Sequence, residues 1–185
     1  MEEKIKAAIG VYIGLTNEQE KLLLRRRVET SSIIPGKSFK GCWELPGGGV
    51  QVKENMPYYH LVNELIREVK EEVGIELILD AISLIPPMYS FFFGEKRDLA
   101  LVIPIRAWFA EPTKGETRWV SIEELNELAR EYKPANKEKE EDGQGIVSGW
   151  GKRMHCMALQ SFYIHGDYDA RMKAQETLKE IQKNW

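Results

Sequence analysis

Two spacings of apolar residues alternate along the chain. Residues 4–15 are rich in Ile, Val and Leu and read as a strand, because β-branched side chains suit a pleated surface. Thr16-Asn17-Glu18-Gln19 is a polar turn, and Leu22-Leu23-Leu24 begins a second strand that runs into Arg25-Arg26-Arg27. Residues 30–41 hold Ser, Pro and Gly and read as a loop. Cys42-Trp43-Glu44-Leu45 is short and extended, since Pro46 keeps Leu45 out of the α region. The spacing then changes. Leu61, Val62, Leu65, Ile66, Val69 and Val73 recur at helical intervals and predict a helix with one buried stripe. Its start falls near Asn55 to Pro57, where Asn caps and Pro suits the first turn. Gly74 is the residue expected just past its end.

Strand-like runs return at residues 75–93, broken by Pro86-Pro87 and closed by the aromatic stretch Tyr89 to Phe93. Gly94 to Asp98 is a turn, residues 99–109 a strand, residues 110–117 a loop and Arg118-Trp119-Val120 a short strand. Ser121 starts a helix to about Tyr132, with Glu124 as the third residue of a capping box. Lys133 to Gly149 carries Lys-Glu-Lys-Glu-Glu-Asp and three glycines, and reads as a solvated mobile loop in preference to a functional lid. Helices from Trp150 to about Phe162 and from Asp167 to Lys183 follow, separated at Gly166. Strands interspersed with helices define a single α/β or α+β domain over residues 1–185, with a helical extension from about 150.

Composition narrows the function. The chain is 43% hydrophobic and 30% charged, with a net charge of −3, so it offers no general attraction to nucleic acid or to an anionic membrane. A polyanionic substrate needs local help from metal or a few arginines. Cys42 and Cys156 form no disulfide framework and no zinc motif, and they read as reduced thiols of a cytoplasmic protein. The start of the chain lacks the pattern of a signal peptide, and no apolar run approaches the ~18 residues of a membrane span.

Gly47 to Ile75 carries the chemistry. On a wheel of about 100° per residue, Glu64, Glu68, Glu71 and Glu72 fall on one side of the helix, beside the apolar stripe. Glu68 and Glu72 stand about 6 Å apart along the axis, and like charges at that spacing disfavour a bare helix. Hard oxygen ligands without His or Cys point to Mg²⁺ or Mn²⁺, completed by substrate phosphates and water. The turn at Gly47-Gly48-Gly49 lets backbone approach a phosphate and offers successive N–H groups to an anion. The corresponding reaction is attack of a metal-activated water on phosphorus, with Glu71 or Glu72 as general base. Taken singly, the glutamates read better as a solvated face and the glycines better as a turn.

The same residues resemble the box of the Nudix hydrolase family. Gly48, five residues and Glu54 match its first half, and Arg67-Glu68-Val69-x-Glu71-Glu72-x-Gly74-Ile75 matches its second half in full. The departure lies between them, where twelve residues separate Glu54 from Arg67 and the family has seven. Five extra residues therefore enter the helix or the loop before it, which disturbs the usual support of the box arginine by Glu54. Trp43-Glu44-Leu45-Pro46-Gly47-Gly48 is similar to the family's lead-in and Trp119-Val120-Ser121 to a later strand-to-helix junction. The resemblance implies an α/β/α sandwich with a mixed sheet, here with added C-terminal helices. It implies metal-dependent cleavage of the pyrophosphate linkage of a nucleoside diphosphate derivative, such as a nucleoside triphosphate or an ADP-ribose-type compound. By matching position, Glu68, Glu71 and Glu72 are the metal ligands or base, and Arg67 orients them. The implied partner is a small nucleotide-type molecule; a homodimer is compatible with it.

Other positions divide between chemistry and packing. Arg27 or Arg26 ends the second strand, where a basic residue faces substrate phosphate in the family or discourages strand pairing as a solvated edge. Lys133-Pro134-Ala135-Asn136 is similar to a segment in which Asn reads a base, though Asn is also ordinary turn chemistry. Glu116, Glu138, Glu140, Glu141 and Asp142 are further acidic candidates. Tyr89 and Phe91 to Phe93 suit a core strand, and His155 among Met154, Met157 and Leu159 suits packing. A second class of function is a non-catalytic nucleotide-sensing module on the same fold. The complete set of carboxylates opposes it, and the insertion favours it.

Overall fold

The computed structural model describes residues 9–28, 38–50, 57–77, 89–93, 98–106, 111–136, 141–146 and 153–183. Glu54, Asn55, Glu138 and Glu140, and the turn expected at 94–97, lie outside these ranges.

The architecture is built on strand β1 (Ile9–Thr16), seven of whose eight residues are buried. Along its whole length it pairs in parallel with β6 (Asp98–Arg106), from Ile9↔Leu99 to Thr16↔Arg106. Its other edge is shared. β4 (Gly47–Val50) pairs antiparallel with Ile9 to Tyr12, and β2 (Leu22–Arg26) joins at Thr16. β3 (Trp43–Glu44) and β7 (Thr117–Val120) pair with β2, and β5 (Tyr89–Phe93) closes the far side against β6. The result is a mixed seven-stranded sheet.

Period-two alternation sends the strand side chains to two separate cores. Val11, Ile13, Leu15, Leu23, Leu101 and Ile103 pack on one face with helix α1 (Tyr58–Glu72), through Val62, Leu65, Val69 and Val73. Tyr12, Leu22, Leu24 and Val102 pack on the other with α2 (Ile122–Arg130), α3 (Arg153–His165) and α4 (Tyr168–Lys183). The fold is therefore the expected α/β sandwich, with the C-terminal helices forming one of its layers. α3 lies so close to the sheet that a Cβ at Gly14 would stand 1.8 Å from Ser161 Oγ. His155 serves this layer, its Nε2 lying 2.8 Å from Asn126 Oδ1 of α2. No described helix is long and apolar enough to cross a membrane.

α1 begins at Tyr58 with Pro57 as its N-cap, within the expected range, and with no capping side chain. Two local expectations change. The glycine stretch is strand β4, not a turn, because β1 supplies backbone partners along Gly47 to Val50. Part of the stretch read as a mobile loop folds back on itself. Lys133 pairs with Gln144 and Asn136 with Glu141, while Ile146 bridges to Trp43 and is fully buried. Gly145 makes this course possible, with φ of +71° and its Cα against Leu128 O, where a side chain would stand at 2.3 Å.

Candidate active site

The site lies where α1 crosses β4. Gly47 takes φ of +140°, and a Cβ there would meet Val11 O at 2.2 Å; only glycine keeps β4 on β1 at this point. Gly48 faces the helix. A Cβ at Gly48 would stand 2.8 Å from the Glu68 carboxyl carbon, so the bare backbone makes room for that carboxylate.

The acidic face of α1 splits into two groups. On the exposed side, Arg67 gathers Glu64, Glu68 and Glu71: Nη2 donates to Glu64 Oε2 at 3.0 Å and to Glu68 Oε1, and Nη1 to Glu71 Oε2 at 2.6 Å. These bonds raise the Arg67 guanidinium further above its ordinary value, those to Glu64 and Glu71 counting most. Arg67 thus contacts Glu68 and Glu71 of the box.

Glu72 turns inward. Its Oε2 accepts the Gly47 N–H at 2.8 Å and its Oε1 lies 2.6 Å from Arg25 Nη2. Burial pushes its carboxyl up to about 8, against the lowering by Arg25 and the Gly47 N–H. Arg25 Nη2 also lies 2.6 Å from Glu44 Oε1, and Glu44 Oε2 accepts from Arg27 Nη1 at 2.9 Å. Tyr12 stands beside this network, and burial drives its phenol above its usual range.

The Gly47 N–H is therefore given to a side chain of the protein and not to an anion nest. Among the described residues no group of three or more His, Cys, Asp or Glu is gathered closely enough to hold a metal ion. The carboxylates that would form such a group are drawn onto arginine instead. Glu64, Glu68 and Glu71 thus share one guanidinium on one face of the helix. Their hard-oxygen chemistry suits Mg²⁺ or Mn²⁺ in that place.

The other expected residues are placed as follows. Arg27 ends β2 and is tied to Glu44. Arg26 points to the opposite side, 3.1 Å from Glu116 Oε2 and 3.8 Å from Asp142 Oδ2. Asn136 sits on the hairpin that bridges at Ile146 to β3, the strand carrying Glu44, and its N–H donates to Glu141 O at 2.9 Å. Of the twelve residues between Glu54 and Arg67, nine (residues 58–66) are helical.

Arg25 and Glu44 are the positions in contact with Glu72 and its network that motif reading passes over. Both signals were available. Arg25 is two residues beyond Leu23, whose side chain packs with α1, so strand alternation aims Arg25 at the helix. Glu44 is an acidic residue between Trp43 and Leu45 in a run that buries its neighbours, and a buried carboxylate requires a cation.

A mixed sheet lies between helical layers, with the acidic face of α1 laid against a glycine strand. The NUDIX domain model matches residues 5–141, and the chain belongs to that family; it is a Nudix-type pyrophosphohydrolase. A MutT protein from Methanosarcina mazei is 26% identical over 68% of this chain and 83% of its own, with a TM-score of 0.42. A NUDIX-family hydrolase from Clostridium perfringens is 18% identical over 84% of this chain and 95% of its own, with a TM-score of 0.48. The NUDIX domain of a Shewanella oneidensis protein, solved with ADP ribose, is 14% identical over 65% of this chain and 77% of its own, with a TM-score of 0.46. No curated protein matches.

Proposed function

We propose that the chain hydrolyses the phosphoanhydride of a nucleoside diphosphate derivative, with Mg²⁺ or Mn²⁺ held by Glu68, Glu71 and Glu72. The observation that carries this reading is that Glu68 and Glu71 share Arg67 beside the glycine strand, while Glu72 of the same helix accepts the Gly47 N–H of that strand. A bound divalent ion supplies charge for the phosphate oxygens and an acidified water. Arg67 orients Glu68 and Glu71 and limits their mutual repulsion. Glu71, the more exposed of the adjacent pair, is the candidate general base, and Glu72 is held toward the sheet. Gly47 and Gly48 keep the mouth of the site free of side chains, Arg27 lies at the end of β2 for a phosphate, and Asn136 is the candidate for the base.

The test is phosphate release from nucleoside triphosphates, oxidised triphosphates, ADP-ribose, dinucleoside polyphosphates and nucleotide sugars, each with Mg²⁺ and with Mn²⁺. On the best substrate, Glu71→Gln and Glu72→Gln are each expected to lower kcat by about 10²–10⁴-fold with the fold intact. Full activity in both variants would remove this helix from the chemistry. Tight nucleotide binding without phosphate release would instead favour the sensor.

A further inference from the structure

Glu72 is held from two sides, and the second holder has no role in the chemistry described above. Gly47 N–H takes Oε2 and Arg25 takes Oε1. Behind Arg25 the charges continue to alternate: Arg25 to Glu44, and Glu44 to Arg27. Arg25 is 6% exposed and Glu44 1%, so neither offers a surface to substrate. Arg25 therefore acts on the site only through what it touches. It reaches α1 from β2 and β3, joining the helix's last turn to the sheet that carries Gly47.

Building on the reading of α1 as the metal-dependent site, we propose that Arg25 is the positioning residue of Glu72 and that Glu44 fixes Arg25 in turn. Each carboxylate oxygen keeps acceptor capacity beyond one hydrogen bond. Holding Glu72 by Arg25 and the Gly47 N–H sets its plane without using up its capacity as a ligand. The Nη2 of one planar guanidinium serves both carboxylates at 2.6 Å, a fixed arrangement that a flexible ammonium reproduces only in part. Partners of this kind, behind a metal ligand, change metal affinity or activity by about 10–100-fold when removed.

The test compares Arg25→Met, Arg25→Lys and Glu44→Gln with the wild type. Free Mn²⁺ is titrated by electron paramagnetic resonance, and kcat and KM are measured on the best substrate of the screen. Arg25→Met is expected to bind Mn²⁺ about 10–100-fold more weakly and to lose kcat by a similar factor, with KM within about threefold. Arg25→Lys should recover part of both, and Glu44→Gln should fall between wild type and Arg25→Met. A folded Arg25→Met that keeps wild-type Mn²⁺ affinity and kcat overturns the proposal. So does a change confined to KM, which would mean direct contact with substrate. Should Arg25→Met fail to fold, Arg25→Lys and Glu44→Gln decide: wild-type values in both overturn it, and graded losses support it. These failures leave the Glu71→Gln and Glu72→Gln results untouched, so the two readings fall separately.

Discussion

Glu68 and Glu72 stand one helical turn apart and yet have opposite circumstances, one paired to Arg67 at the surface, the other turned into the sheet. The buried position carries a pH signature. The Glu72 carboxyl is raised in the folded protein, from 4.5 to about 8, so the folded state binds the proton more tightly than the unfolded chain. Stability tied to this group is fully present below the unfolded value and is lost as pH rises through the folded one. In urea unfolding at pH 5, 6.5 and 8, wild type should lose stability relative to Glu72→Gln across that window; a constant difference would contradict the sign. Gly48 gives a second expectation. Gly48→Ala should push the Glu68 carboxylate aside and lower kcat about tenfold, while thermal unfolding shifts little, because the flexible end of Glu68 can yield. Gly47→Ala, against the Val11 carbonyl at positive φ, should cost about 1–3 kcal/mol in denaturant unfolding. The difference between neighbouring glycines was not legible in Gly47-Gly48-Gly49, since it arises from what β1 and α1 place against each one.

At the scale of elements, the pieces defined by periodicity or capping were read well. The apolar stripe of α1, with Val62, Leu65, Val69 and Val73 buried, follows directly from its spacing. Ser121 caps α2 as expected: its hydroxyl accepts from Glu124 N–H at 3.3 Å, and Glu124 Oε2 accepts from Ser121 N–H at 2.8 Å. Ser121→Ala should therefore destabilise the protein by about 1 kcal/mol, measured by thermal or denaturant unfolding, without affecting Mn²⁺ binding. Elements made by distant pairing were read less well. β4 is a strand because β1 lies beside it, and three consecutive glycines carry no strand preference of their own. The hairpin between Lys133 and Ile146 likewise depends on residues 38–43. Gly143 N–H donates to Lys40 O at 2.7 Å and Trp43 N–H to Gly145 O at 2.8 Å. A charged, glycine-rich segment has nothing local to indicate such partners. In the same way the family box located the carboxylates, but the partners that turn Glu72 inward come from β2 and β3, over twenty-five residues earlier in the chain.

For the whole molecule, the sheet separates two cores and shares its strands between them, so neither helical layer has a surface to pack on without it. Leu65→Ala, deep in the α1 core, is expected to cost about 2–5 kcal/mol and still give one cooperative transition by circular dichroism and fluorescence; two separated transitions would mean the layers unfold independently. The parallel pairing of β1 with β6 also bears on how the chain is made. β1 emerges during synthesis before its partner from Leu99 to Arg106, which follows some ninety residues later. At translation speeds of about 5–20 residues per second, β1 waits on the order of 5–20 s with that edge unpaired. Through this interval an apolar strand is open to any other extended segment nearby. The central position that gives β1 its burial in the finished molecule therefore leaves it open to mispairing on a ribosome, and gives a chaperone reason to hold it.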